Sequence, residues 1–490
     1  MSEVLELLPR GLFIGGQWQP AQDGAEFTVT NPATGAEVAR VADASTQDAE
    51  RALAAASAAQ PGWAQVAPRD RSEMLRRAFE LLVERTDEFA ELITMEMGKT
   101  LAEARGEVAY GAEFFRWFAE EAVRVHGRYA TAPSGPSRLV TMKAPVGPTL
   151  MITPWNFPLA MGTRKIGPAI AAGCTMVVKP AHETPLTTVA LVALLEEVGV
   201  PPGVLNLVTT THSGEVCEPL IRDPRLRKLT FTGSTGVGKR LVEQSATQLL
   251  RVSMELGGNA PFIVFPDADI AAAVEGAMLA KMRNIGEACT AANRFLVHAE
   301  VADEFARSLA DRMGSLNLGD GSLAGTDVGP LITQKARDGV HELVQDAVSG
   351  GARALTGGTI PEGSGWFYAP TVLIDVPTRA RVMNEEIFGP VAPISTFTSE
   401  TEAVELANAT EYGLVAYVYT NDNSRVIRMS EALEFGMVGI NTGIVSNPAA
   451  PFGGMKHSGY GREGGFEGIE EYLETKYVGM VIEPHQPPAD

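Results

Sequence analysis

Cysteine is scarce: the chain has three in 490 residues, Cys174, Cys217 and Cys289. So sparse and odd a set makes no disulfide framework, and it fits a reducing compartment. Positive charge is short as well. There are 40 Lys and Arg against 60 Asp and Glu, a formal net charge of -20. That argues against phosphate-backbone binding as the main activity, so no nucleic-acid partner is expected. Long apolar runs are missing. An uncharged stretch of mostly small and apolar residues, Ile166 to Val178, falls short of the roughly 20 residues that cross a bilayer. The start, "MSEVLELLPRGLF", has no basic n-region and no apolar core, so no signal peptide is expected. The seven histidines show no metal-ligand spacing, so no metal site is expected. There is no internal repeat. The expectation is a cytoplasmic protein without membrane partners.

What is present is an α/β pattern long enough for two or three domains. The first third reads as helical. "STQDAERALAAASAA" offers Thr46 as N-cap with Glu50 one turn on. From Arg69 to Met97 apolar residues recur at helical spacing. A further helix around Glu103–Val125 carries Phe114, Phe115, Trp117 and Phe118, read as core. "PSGPS" then separates two β-prone flanks, a hairpin signal, and the C-terminal "EYLETKYVGMVI" also reads as a strand. From Cys174 strands and helices alternate: "CTMVVKP", a helix capped by Thr184 with Pro185 at its first position, "GVLNLV", "GEVCEPLIRD", "RKLTF", "TGSTGVGKRLVEQSA" and "RVSMEL". This rhythm predicts a doubly wound parallel sheet with ligands at its carboxyl edge. A second α/β region follows Gly257, with strands at "FIVFPDAD", "NRFLVH" and "LVAYVYT".

The turn "GSTGVGK", Gly233 to Lys239, sits between a strand and a helix, where backbone N–H groups cradle phosphate. It nearly fits a P-loop, but Arg240 stands where a hydroxyl must hold Mg²⁺. By itself the turn leaves open a phosphate-bearing cofactor, a plain tight turn and, as a minority reading, a P-loop-like nucleotide hydrolase.

Four stretches need one explanation: "TPWNFP" from Thr153, "MELGGNAP" from Met254, "NIGEACTAANR" from Asn284, and "EEIFGP" from Glu385. A nucleophilic Cys289 needs a depressed thiol pKa. Attack on a carbonyl creates an oxyanion, for which the Asn156 amide and the Cys289 N–H are donors. A thioester then needs a base for water, and Glu255 can supply it. Hydride from the intermediate needs an acceptor, which the sheet's dinucleotide site provides.

These stretches, in this order, with "FIGGQW" near the start and "PFGGMKHSGYGREGG" near the end, resemble the NAD(P)-dependent aldehyde dehydrogenase superfamily along the whole chain. The resemblance implies Cys289 as nucleophile, Glu255 as general base and Asn156 as oxyanion donor. It implies a cofactor-binding domain (1–127 and 148–256), a catalytic domain (257–448) and a β ribbon for homodimer or homotetramer assembly (128–147 and 470–490), with 449–469 returning to the cofactor domain. It also implies a cofactor groove lined by Thr153, Pro154, Trp155, Ala181 and Leu256. Lys179 would contact the adenosine ribose, Gly233 and Ser234 the pyrophosphate, Val237 the adenine, and Glu386 with Phe388 the nicotinamide ribose.

Within the superfamily the chain looks most like succinate-semialdehyde dehydrogenases, on "GTRKIGPA" with Arg164, "KMRNIG" with Arg283 and "NTGIVSN" with Ser446. Guanidiniums and a hydroxyl suit an aldehyde with a distal carboxylate. Glutarate semialdehyde, one methylene longer, is the close competitor. The alternative for both arginines is a structural ion pair. His182 stands where NAD-preferring relatives carry a carboxylate, which leans the coenzyme to NADP, with NAD possible because Glu183 is adjacent. Glu287 stands where Gln is more familiar, and no second cysteine follows Cys289 at two residues.

Overall fold

The computed structural model describes residues 3–483. Its first sheet has eight strands, five of them parallel. In space these five run Arg251–Glu255, Lys228–Thr232, Thr149–Ile152, Met176–Lys179, Leu205–Leu207. The first in sequence, Thr149–Ile152, therefore lies in the middle, and later strands are added on either side of it. Such a reversal splays the loops apart at the carboxyl edge and opens a crevice there. The helices Ala160–Ala172, Pro185–Glu197 and Thr235–Ser245 lie in the connections between these strands. The Thr149, Met176 and Lys228 strands are buried throughout, as expected for parallel strands covered on both faces.

The second sheet has seven strands, in the order Arg353–Thr356, Thr371–Ile374, Val391–Phe397, Ala292–His298, Ala260–Val264, Val415–Tyr419, Met437–Ile440. All neighbours are parallel except the first pair. Phe262 is the hub of its core, with ring centroids 5.0 Å from Tyr419 and 5.2 Å from Phe295. The alanine-rich helix Ile270–Met282 approaches closely because it carries Gly276 there. A methyl group at that position would lie 1.6 Å from the Tyr419 hydroxyl.

A third sheet is an antiparallel ribbon of Arg128–Thr131, Ser137–Pro145 and Leu473–Val481. The hairpin at "PSGPS" and the C-terminal strand are thus observed. Residues 484–490 of the expected ribbon lie outside the described residues. The short strand Gly459–Tyr460 pairs with Arg251–Glu255, so the chain returns to the first sheet before the ribbon closes.

Three local expectations are corrected. Ser45, not Thr46, caps the helix Thr46–Trp63, in a reciprocal box with Asp48. The Arg69–Met97 pattern divides into helices Pro68–Glu84 and Thr86–Met97, because Arg85 leaves helical geometry at φ -100°, ψ 28°. Thr184 does not cap Pro185–Glu197. The Glu96 carboxylate, from a distant helix, accepts from the Leu186 and Thr187 N–H groups at 2.7 and 2.9 Å.

Candidate active site

The crevice is built from segments just past the strand ends. Pro154, Trp155 and Asn156 come after Thr149–Ile152, Gly233 and Ser234 after Lys228–Thr232, and Leu256 after Glu255 at the end of its strand. All of them line one cavity with Cys289, Glu386, Phe388, Arg164, Arg283 and Ser446. Its empty volume is about 890 Å³ including the open mouth. Thr153, Lys179, Ala181, His182 and Val237 are not on that cavity wall. Thr153 donates its N–H to the Lys179 carbonyl at 3.1 Å, along the same sheet edge.

Cys289 precedes the strand Ala292–His298, so it stands at the amino edge of the second sheet, opposite the carboxyl edge of the first. The approach is tight. A methyl group on Gly258 would fall 2.2 Å from the Cys289 carbonyl oxygen. Upstream, Asn284, Ile285 and Gly286 all have left-handed φ, at 55°, 63° and 78°. For the β-branched Ile285 this is strained backbone, of a kind that clusters at functional sites. Polar contacts hold it. The Asn284 amide donates to the Glu287 and Asn156 carbonyls at 2.8 and 3.0 Å. The Asn156 amide donates to the same Glu287 carbonyl at 3.0 Å. Lys99, buried and 2.6 Å from Glu107, donates to the Asn156 carbonyl at 2.8 Å. Glu287 itself is buried and accepts from the Ile332 N–H at 3.1 Å. Burial pushes its carboxyl well above the ordinary range, with the Ile332 N–H and Lys99 opposing.

The thiol differs from the expectation. Burial pushes Cys289 up to about 12; Arg164 opposes this, and Glu255, Glu386 and Glu463 reinforce it. The cavity favours the protonated sulfur over its anion. Glu255 is also buried, with neither carboxyl oxygen hydrogen-bonded among the described residues. Burial and then Glu463 raise it well above the usual carboxylate range. Glu463 goes the other way: burial raises it, but Lys165 and Arg164 together overcome that and hold it low. Arg164 lies 2.7 Å from Glu463 in an ion pair without aligned hydrogen-bond geometry, and its guanidinium carbon is 4.0 Å from the Phe452 ring centroid. The ion-pair alternative for Arg164 is therefore realised, although it still lines the cavity. Arg283 makes no ion pair among the described residues; it lies 5.0 Å from the centroid of Phe157. Sequence reasoning missed Glu463 and Lys165. The stretch "GREGG" contains the acid, but nothing local places it against residues some 300 positions earlier.

The coenzyme side fits a dinucleotide. The helix Thr235–Ser245 begins at Ser234 with no side-chain cap, leaving N–H groups for a pyrophosphate. A Cβ on Gly233 would lie 2.5 Å from the Phe231 ring, and one on Gly238 2.4 Å from Leu256. Only glycine permits this close turn. Glu386 accepts from the Gly258 N–H at 2.8 Å and is pushed up to about 7, by burial against the opposing effects of Gly258 and Lys281. Trp155 and Phe388 meet edge to face at 5.4 Å. Lys179 is buried and donates to Ser213 at 2.7 Å. Val237 is exposed on the helix's first turn. His182 Nδ1 lies 3.3 Å from the Glu183 carboxylate. Arg240 points to solvent, so the Mg²⁺ ligand of a P-loop is lacking, and no cluster of three metal-ligating side chains occurs among the described residues.

Residues 18–478 match the aldehyde dehydrogenase family. The chain belongs to that family. This aldehyde dehydrogenase is 59% identical over 449 residues to the succinate-semialdehyde dehydrogenase of Paenarthrobacter nicotinovorans, spanning 92% of this chain and 100% of that one. It is 51% identical to a glutarate-semialdehyde dehydrogenase of Pseudomonas putida, over 97% of this chain and 99% of the relative. The crystal structure of an E. coli NADP dependent enzyme superposes with a TM-score of 0.96 at 49% identity, covering 97% and 99% of the two chains. The dehydrogenase has no helix long and apolar enough to cross a membrane among its described residues.

Proposed function

We propose that this dehydrogenase oxidises succinate semialdehyde to succinate, with NADP as the preferred coenzyme. One observation carries the substrate reading. Arg283, a guanidinium without an ion-pair partner among the described residues, lines the same cavity as Cys289 and Ser446. A methyl-ended aldehyde would leave that charge unmatched, at a cost on the order of a few kcal/mol. The two semialdehyde dehydrogenases at 59% and 51% identity support it. Glutarate semialdehyde is the second reading, because one methylene is worth only about 1–3 kcal/mol.

The shared cavity supports the following roles. Glu255 takes the Cys289 proton, and the sulfur bonds the aldehyde carbon. The Asn156 amide and the Cys289 N–H hold the resulting oxyanion. NADP, when bound, supplies the hydride acceptor. Glu255 must first release that proton to solvent; it then deprotonates the water that cleaves the thioester, and returns the proton gained from water to the departing sulfur, which releases the acid and restores the thiol. Ser234, Gly233 and the helix behind them would hold the pyrophosphate, Lys179 the adenosine ribose, and Glu386 the nicotinamide ribose. NADP is favoured because residue 182 is a histidine rather than an acid, and by likeness to the E. coli enzyme. Glu183, lying against that ring, favours tolerance of NAD.

The division into coenzyme, catalytic and ribbon domains belongs to this proposal, as does a cytoplasmic homo-oligomer. The ribbon leaves Tyr129, Met142, Tyr477 and Val481 exposed, apolar surface suited to a second copy. The function is tested by kcat/KM for succinate semialdehyde against butanal, each with NADP and NAD. A clear preference for the semialdehyde is expected, and a preference for butanal would end the reading.

A further inference from the structure

The helix Leu101–Glu121 sends Phe114, Phe115 and Phe118 into the core. Tyr110, on the same helix, packs against that core from its edge and also lines the active-site cavity with Arg164 and Arg283. Its ring is held on several sides. It meets Phe114 edge to face at 5.0 Å, and the Arg283 guanidinium carbon stands 5.6 Å from its centroid. It also packs on the apolar cluster that includes Phe157, Met161 and Ala288, the residue before the nucleophile. The hydroxyl is shielded from solvent yet has no hydrogen-bond partner among the described residues. A sheltered tyrosine hydroxyl ordinarily has a partner, and phenylalanine would pack here without leaving one unmet.

We propose that Tyr110 is a substrate-binding residue whose phenol donates a hydrogen bond to the distal carboxylate of the aldehyde, beside Arg283 and Ser446. The inference rests on the carboxylate-tailed substrate proposed for this enzyme. Arg164 is already engaged by Glu463 at 2.7 Å, so the carboxylate has one uncommitted guanidinium and needs further donors. A carboxylate has about four acceptor positions. A phenol fills one without adding a positive charge that an empty cavity would have to shelter. An uncharged alkyl tail offers the hydroxyl nothing.

The test is Tyr110→Phe, assayed beside wild type with succinate semialdehyde and with butanal of the same chain length. The expected result is a fall in kcat/KM for the semialdehyde of roughly tenfold to hundredfold, mostly through KM, the range for one hydrogen bond to a charged group. Butanal turnover should stay within about twofold, which also reports an intact fold and nucleophile. The KI of succinate as a competitive inhibitor should rise by a similar factor. Equal losses on both aldehydes would mean that Tyr110 only packs, and no loss on the semialdehyde would mean that the phenol does not touch it; either overturns the proposal. If wild type itself fails to prefer the semialdehyde, the substrate reading falls and takes this one with it. If wild type prefers it and the variant keeps that preference in full, Tyr110 alone is wrong.

Discussion

Burial raises the Cys289 thiol, against the opposing charge of Arg164. On the proposed reading the nucleophile is the sulfur anion, and a thiol pushed up to about 12 forms that anion in growing proportion as pH rises. The sign is therefore fixed. Alkylation of Cys289 by iodoacetamide, without coenzyme or substrate, should accelerate steadily from about pH 6 to about pH 10. A rate already level near pH 7 would show the thiolate preformed and contradict the raised value. The same residue marks the limit of reading one position at a time. "EACTA" identifies the sulfur, since such small neighbours do not suit a core cysteine. Its ionisation, however, depends on burial and on Arg164, Glu255, Glu386 and Glu463, none of them a neighbour in sequence. Glu287 shows the reverse. Its departure from Gln has no consequence readable from the sequence; the structure buries it and thereby raises its carboxyl.

Element ends depend on contacts that sequence neighbours do not always supply. The helix Pro185–Glu197 begins with a threonine and a proline, a good local start signal. Yet its free N–H groups go to Glu96, some 90 residues earlier. Thr184 instead donates its hydroxyl to the Trp155 carbonyl at 3.3 Å. Glu96→Ala should therefore cost about 1–3 kcal/mol of stability by chemical denaturation, because two buried donors lose their acceptor. Thr184→Ala should cost clearly less. The opposite ranking would restore Thr184 as the cap. Strands were legible for the converse reason. "CTMVVKP", "RKLTF" and "RVSMEL" are short apolar runs between turn residues, and a buried parallel strand carries its signal within itself. The order of those strands, with Thr149–Ile152 in the middle, was not legible, since pairing joins segments far apart in the chain.

At the scale of the whole molecule the ribbon leaves large apolar side chains uncovered. Tyr129, Tyr477 and Val481 are 66%, 62% and 75% exposed, and side chains of this kind on a folded sheet call for a partner surface. Light scattering after size exclusion should find wild type well above the 52.1 kDa of one chain, and Tyr477→Asp shifted toward it. A wild-type mass of one chain would remove the ribbon's proposed role.

By itself the sequence determined the class of chemistry and where its parts begin. Thr153 to Asn156, Glu255 to Gly258 and Cys289 each lie at a strand end or turn, where short-range geometry presents them. Only the tertiary structure decided which charges meet. It set Glu463 against Arg164 and Lys165, left Arg283 uncommitted, and turned Tyr110 toward the cavity while its helical neighbours were buried. The physical reason is that Coulomb attraction, desolvation and hydrogen bonding act over a few ångströms in space, whatever the number of residues between.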